Sequence, residues 1–502
     1  LALPFRNPSR RPHAPAASVG IRGFHHGFVR RQTPCPGAGH AGIERHVAVR
    51  GEQATRRFLP IFQFYLYRHL DKYPHASVFT QRRQCDISMT IKGGAAMAIT
   101  QPLAQSRPAE PRAVSDRRRV LGVACCAHAL HDGYTDLIYV LLPIWQTEFA
   151  LSYAALGALR MLYTGAMAGL QMPASFLAAR WGAPLVLALG TALAAGAYLT
   201  IGLTGAGFVA LAAALLAGGA GSSTQHPLAS SLIARAYDGH GSRAALGTYN
   251  FSGDLGKMAV PASLAWLLVL LPWRSALGLI GVVGLVVAAA VLLLLPHRLG
   301  GTSTPAKTDA PHMVTERPRH RLAFPLLLAI GFLDSGTRMG FLAFLPFVLR
   351  GKGATTPMIG LALTLIFAGG ATGKLACGLL GARLGVLRTV LLTELATAAG
   401  IMLLDPLPLT AAMASLVVIG MALNGTSSVL YGTVPELVAP ERRERAFGLF
   451  YTGTIGGGAI APVLYGLAGD AIGPAHAIMV VAAVCLLTLP LAIALAPSLR
   501  DR

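Results

Sequence analysis

His128, His131, Asp132, Thr135 and Asp136 stand within nine positions of an otherwise apolar stretch. Residues three and four apart share a helix face, so these five form one polar stripe. Such a stripe can take up and release protons or hold a charged solute. Asp334 repeats the motif later in the chain, with Arg338 one turn beyond it, and Asn250, Asp254 and Lys257 make a further stripe. Gln225 and His226 precede Pro227, where a missing N–H frees a carbonyl and bends a helix. Arg160, Lys374 and Glu394 are single charges in other apolar stretches. A charge at the centre of a bilayer costs on the order of 2.5 to 3.5 kcal/mol even on the permissive insertion scale, so these groups are expected to face protein or a wet cavity.

Specific pairings follow. Asp132 is the candidate proton- or solute-coupling carboxylate, with a structural ion pair holding the first helix as the plain alternative. In the family fold that the sequence resembles, given below, the first and seventh helices line a central cavity, which implies that Asp132 and Asp334 approach one another across it. Asp136 and Arg338 are expected to form an ion pair between two halves of the protein, against the alternative of two separate structural contacts. Asp254 and Lys257 are spaced to pair within one helix; otherwise Lys257 leaves Asp254 to bind the acidic group of a solute. Arg160 and Lys374 can line the cavity and favour anions, His226 beside Gln225 either packs or titrates, and Glu394 pairs structurally or lies near a helix end.

The elements that must position these groups are membrane helices. Of 502 residues, 54% are apolar and 13% charged, against roughly 25% charged in a soluble domain. That excludes a disordered polymer and argues against a water-soluble enzyme. The net charge of +21 is concentrated: 20 basic and six acidic residues precede Val120, so no nucleic-acid partner is implied for the rest. Cys35, Cys85, Cys125, Cys126, Cys377 and Cys485 show no C-x-x-C spacing, which supports neither a zinc site nor a disulfide framework. Twelve apolar stretches near the roughly 20 residues of a membrane helix are read at 120–144, 154–178, 184–204, 207–234, 244–271, 274–296, 323–349, 358–381, 386–404, 409–438, 446–469 and 474–497. Arg and Lys crowd one set of connections, which predicts that both termini and the loop 297–322 are cytoplasmic. Residues 1–119 read as a basic, Arg/His/Pro-rich extension, disordered or, below Met89, upstream of a natural start; an Arg-rich targeting segment is the alternative. Gly373-Lys374 and Gly205-Ala206-Gly207 lack the flanking residues or strand of a nucleotide site. No catalytic group, cofactor or metal site is expected.

The two halves repeat. Asp132 to Pro143 corresponds to Asp334 to Pro346, Arg180-Trp181-Gly182 to Arg383-Leu384-Gly385, Gly221-Ser222-Ser223 to Gly425-Thr426-Ser427, and Pro261 to Pro462. The offset spans six helices, an even number, so the halves share one topology about an axis along the membrane normal. This organisation, with a turn motif carried by Arg180, Gly182, Arg383 and Gly385, resembles the major facilitator superfamily of secondary transporters. His128, Asp132, Tyr134 and Pro143, with His226-Pro227, Gly253, Gly256 and Pro261, resemble its fosmidomycin-resistance-type exporters. Ala179 and Ala382 stand where the superfamily has Asp, and Val260-Pro261 where drug–proton antiporters have Gly-Pro.

The resemblance implies an all-α fold of two pseudo-symmetric six-helix bundles, 120–296 and 323–502, joined by the linker 297–322. It also implies a monomeric, multi-pass inner-membrane protein, not an enzyme, that exports a small organic solute or drug by proton antiport through alternating access. A proton symporter importing an anionic metabolite is the first alternative. A non-transporting sensor or scaffold of the same fold is the second.

Overall fold

The computed structural model describes residues 111–203, 207–237, 240–296, 322–439 and 442–500. The expectations for residues 1–110 and for most of the linker lie outside these residues. Every regular element among the described residues is a helix, as expected where backbone groups in hydrocarbon must be satisfied within their own segment.

The first half contains α1 (Pro111–Phe149), α2 (Tyr153–Gly169), α3 (Gln171–Trp181), α4 (Ala183–Leu203), α5 (Phe208–Ser222), α6 (Gln225–Ala236), α7 (His240–Leu270) and α8 (Trp273–Leu294). The second contains α9 (Ala323–Gly351), α10 (Thr356–Leu384), α11 (Val386–Leu404), α12 (Leu409–Leu437), α13 (Arg443–Ile472), α14 (Pro474–Leu486) and α15 (Thr488–Arg500). The fifteen helices among the described residues make twelve membrane segments, because three segments are broken: α2–α3 at Leu170, α5–α6 at Ser223 and Thr224, and α14–α15 at Leu487. Pro173, Pro227 and Pro490 lie three to four residues after these breaks. Each lacks the N–H that would have bonded back across the interruption.

Among the described residues, ten stretches are long and apolar enough to cross a membrane by length and composition alone. The two that fall short are the first, diluted by its polar stripe, and the second, cut at Leu170. The turns after α3 and α10 close on Gly182 at φ 90° and Gly385 at φ 80°. That left-handed backbone favours glycine, which gives the repeated Arg-x-Gly motif its structural reason. Arg180 and Arg383 are exposed beside these turns.

The apolar packing is asymmetric along the helices. At the end holding the α1–α2, α7–α8, α9–α10 and α13–α14 connections, one cluster joins both halves, with Leu141, Trp145, Leu159 and Leu264 packed among Phe341, Phe344, Leu363 and Ile366. At the opposite end, where the basic connections lie, each half has a cluster of its own. One surrounds Ala124, Leu187, Leu232 and Tyr249; the other surrounds Leu327, Val390, Leu430 and Phe450.

Glycines report the same asymmetry. A Cβ at Gly157 or Gly466 would collide with backbone across the α2–α13 interface, at Pro462 or Ala154, whereas at Gly165, Gly169 and Gly448 nothing lies within 4 Å. The halves are therefore sealed together at one end and parted at the basic end.

Candidate functional site: a charged chamber between the halves

Close approach of α1 and α7 builds the first wall. A side chain at Gly256 would strike the backbone of Ala129, and one at Gly253 would strike Asp132 and His128. The two glycines thus let α7 bring Lys257 against the stripe on α1. Lys257 Nζ lies 3.3 Å from Asp132 Oδ2. His128 Nε2 and His131 Nε2 lie 3.5 and 3.8 Å from Asp132 Oδ1. His128 Nδ1 donates to the Tyr249 carbonyl at 2.8 Å and its ring stacks on Tyr249 at 3.9 Å, which fixes the imidazole. His131 and His226 meet through their Nε2 atoms at 3.3 Å.

The second wall joins the halves. Lys374 on α10 donates to both carboxylate oxygens of Asp254 on α7, at 2.6 and 2.9 Å, while Lys257 is 3.9 Å from the same carboxylate. Close by, Thr364 on α10 donates to the Met258 carbonyl at 3.1 Å. Asp254 thus pairs across the halves with Lys374 more closely than within its helix with Lys257. The expected intrahelical pair is stretched because Asp132 draws Lys257 away.

Asp136 also finds a different partner. Arg160 on α2 lies 3.8 Å from it, donates to Tyr139 Oη at 3.3 Å and sits over the Tyr139 ring. Arg338 makes no ion pair within 4.0 Å among the described residues and leaves its Nε buried without a partner. The expected Asp136–Arg338 bridge is therefore replaced by a pair within the first half, since Arg160 reaches the carboxylate from a neighbouring helix.

Between the walls lies a cavity of about 560 Å³. It is bordered by ten of the expected residues: His128, Asp132, Arg160, His226, Asn250, Asp254, Lys257, Asp334, Arg338 and Lys374. His131, Asp136 and Gln225 stand behind it; His131 and Gln225 instead edge a small void with Ser222 and Thr224. Tyr431, Phe450 and Tyr451 supply aromatic surface from the second half. Asp132 and Asp334 border the same chamber, and Asp132 is engaged by Lys257 of its own half.

Sequence reading left the partners of Glu394 unnamed. Glu394, on α11, is buried at 2% exposure. Its Oε2 accepts from Cys485 Sγ at 3.1 Å and Thr488 Oγ1 at 3.4 Å. The available signal was a lone carboxylate in mid-span, which requires a buried partner without naming it.

His128, Asp132 and His226 present ligand atoms within 4.8 Å of one another, a spacing a metal ion can use. Lys257 already neutralises that carboxylate and would compete with a second cation.

Two segments, residues 124–330 and 327–501, match the family profile of the Major Facilitator Superfamily. The fosmidomycin resistance protein of Escherichia coli (strain K12) is 26% identical over 366 residues, covering 70% of this chain and 86% of that protein. Among solved structures, a bacterial homologue of the human lysosomal transporter Spinster, in an inward-facing and occupied conformation, superposes with a TM-score of 0.64 at 18% identity, over 76% of this chain and 97% of its own. The nucleoside transporter NupG superposes with a TM-score of 0.62 at 14% identity, over 76% of this chain and all of its own.

Proposed function

Because this chain belongs to the Major Facilitator Superfamily, and so to a family of membrane transporters, we propose that it is a proton-coupled secondary transporter that moves a small organic solute by rocking one six-helix half against the other. The observation that carries this reading is the chamber itself, which is charged, lies between the halves, is sealed at one end and parted at the other. The crowding of Arg and Lys in the connections at the parted end supports a cytoplasmic position for that end, and on that reading this conformation faces inward. Likeness to the fosmidomycin resistance protein supports export of a drug-like solute by proton antiport.

Asp132, Lys257, Asp254 and Lys374 form an ion lattice that a charged solute can enter by exchanging partners. Taking Lys374 from Asp254 releases a contact between the halves, which links solute binding to movement. Energy is sufficient with one proton per cycle. A charge moved through 100 mV supplies about 2.3 kcal/mol and a tenfold gradient costs about 1.4, so one proton sustains roughly a fiftyfold gradient.

A second reading, proton symport of an anionic metabolite, is favoured by the lining itself. Four cations, Arg160, Lys257, Arg338 and Lys374, border the cavity against three carboxylates, Asp132, Asp254 and Asp334.

Purified protein in sealed vesicles with an internal pH dye separates the two readings. With fosmidomycin as the first probe, followed by a panel of small organic acids and bases, antiport moves protons against the solute and symport moves them with it. Solute flux that leaves the internal pH unchanged at every gradient would overturn proton coupling.

A further inference from the structure

We propose that His128, Asp132 and His226 form a binding site for a divalent transition-metal ion of the zinc class, set in the wall of the chamber. The site stands on the geometry of the first half alone and is independent of the transport reading above.

His128 supplies the first observation. Its Nδ1 donates to the Tyr249 carbonyl at 2.8 Å, which leaves Nε2 as a bare lone pair in the neutral imidazole. That Nε2 is buried without a hydrogen-bond partner, in a side chain 3% exposed. It faces Asp132 Oδ1 at 3.5 Å. A lone pair and a carboxylate oxygen are both acceptors, so their approach is favourable only with a proton or a metal ion between them. A third ligand group beside the two suits a metal ion. So does a histidine that gives one N–H to a backbone carbonyl and keeps its other nitrogen free, the usual arrangement of a metal-bound imidazole.

Spacing agrees. Ligand atoms about 2.0 to 2.2 Å from a tetrahedral zinc ion lie roughly 3.3 to 3.6 Å from one another, and the His128–Asp132 separation falls in that range. His226 on α6 completes the set, because one ligand atom from each of the three residues lies within 4.8 Å of the others. Its ring meets that of His128 edge-on at 5.2 Å. It is also the most exposed of the three, so a turn of the ring closes the remaining gap of about 1 Å. His131 Nε2 stands 3.3 Å from His226 Nε2 and steadies that ring from behind. Two imidazoles and one carboxylate suit zinc, cobalt or nickel rather than magnesium or calcium, which prefer oxygen ligands. All three residues border the chamber, so the ion enters from there and water can take a fourth position.

Lys257 sets the affinity. It holds Asp132 through Oδ2 at 3.3 Å and leaves Oδ1 to the histidines. An arriving ion repels this ammonium, whose other carboxylate, Asp254, is 3.9 Å away. There Lys257 competes with Lys374 for the carboxylate that joins the halves. The ion thereby acts on the contact between α7 and α10 without touching it.

Zinc titration of the chelator-treated full chain in detergent, followed by calorimetry, tests the site with no transported solute. His128→Ala and His226→Ala should each weaken one saturable site by at least about tenfold, a loss usual even for groups one shell further out. His476→Ala, at an exposed position on α14, should leave it unchanged. Zinc held by histidines of residues 1–110 is common to every variant. Lys257→Met should bind zinc more tightly, because the competing charge is gone. Equal affinity in the wild type and both histidine variants, or no gain in Lys257→Met, would overturn the proposal.

Should the histidine variants fail to fold, wild-type crystals soaked in zinc and measured at its absorption edge decide. Anomalous density among His128, Asp132 and His226 is the expected result. Density only elsewhere on the chain, or none, would overturn the site and leave the transport reading standing.

Discussion

Lys257 is the residue on which the first half of the chamber turns. It stands 3.3 Å from Asp132 and 3.9 Å from Asp254, with its side chain 29% exposed. Breaking a buried ion pair from one side leaves the other charge without compensation and costs about 3 to 5 kcal/mol, whereas removing both charges is often nearly neutral. Lys257→Met should therefore lower thermal stability sharply, and Asp132→Asn in the same chain should recover most of the loss. Melting curves of the two single variants and the double variant in detergent measure this coupling, and additive losses would show that the pair carries no shared energy.

Much of this residue-level picture was legible beforehand. The stripe on α1 and its facing of protein or a cavity follow from helical spacing and the cost of a charge in hydrocarbon. The partners were not legible. Lys257 is three residues from Asp254, but its nearest carboxylate lies on another helix, and spacing along one helix says nothing about which helix packs beside it. Arg160 was hidden as the partner of Asp136 for the same reason.

At the scale of elements, the twelve spans and their breaks are written in apolar length and in proline. Pro227 announces the α5–α6 interruption, and Gly182 and Gly385 announce two turns. The contacts between halves were less visible, because they depend on small residues whose role appears only once two helices touch. Gly157 and Gly466 let α2 and α13 meet backbone to backbone at the sealed end, and Gly360 lets α10 close on the Ala265 Cβ of α7. A larger side chain there cannot be accommodated by rotating a flexible neighbour. Gly466→Leu should hold the sealed end apart and shift the population toward the opposite conformation. Spin labels on the exposed basic-end turns at Arg180 and Arg383, read by pulsed electron resonance, should then report a shorter mean separation than in the wild type. An unchanged distance distribution would show that this glycine contact does not set the conformational balance.

Across the whole molecule, the sealed end is held by polar contacts as well as apolar packing. Arg350 of the second half donates to the Pro143 carbonyl of the first at 3.2 Å. Asp470, near the end of α13, accepts from the Tyr153 N–H at 2.6 Å and the Ala154 N–H at 3.1 Å, the first amides of α2. The Ser152 hydroxyl accepts from the next amide, that of Ala155, at 3.2 Å. One half thus completes a helix start belonging to the other. Whenever the halves separate at this end, two amides lose their acceptor and meet water. Deuterium uptake at Tyr153 and Ala154 would then count the excursions of the protein to its other face, in unlabelled protein and with no solute added. A condition that holds the protein inward-facing should slow that exchange, and one that drives turnover should speed it.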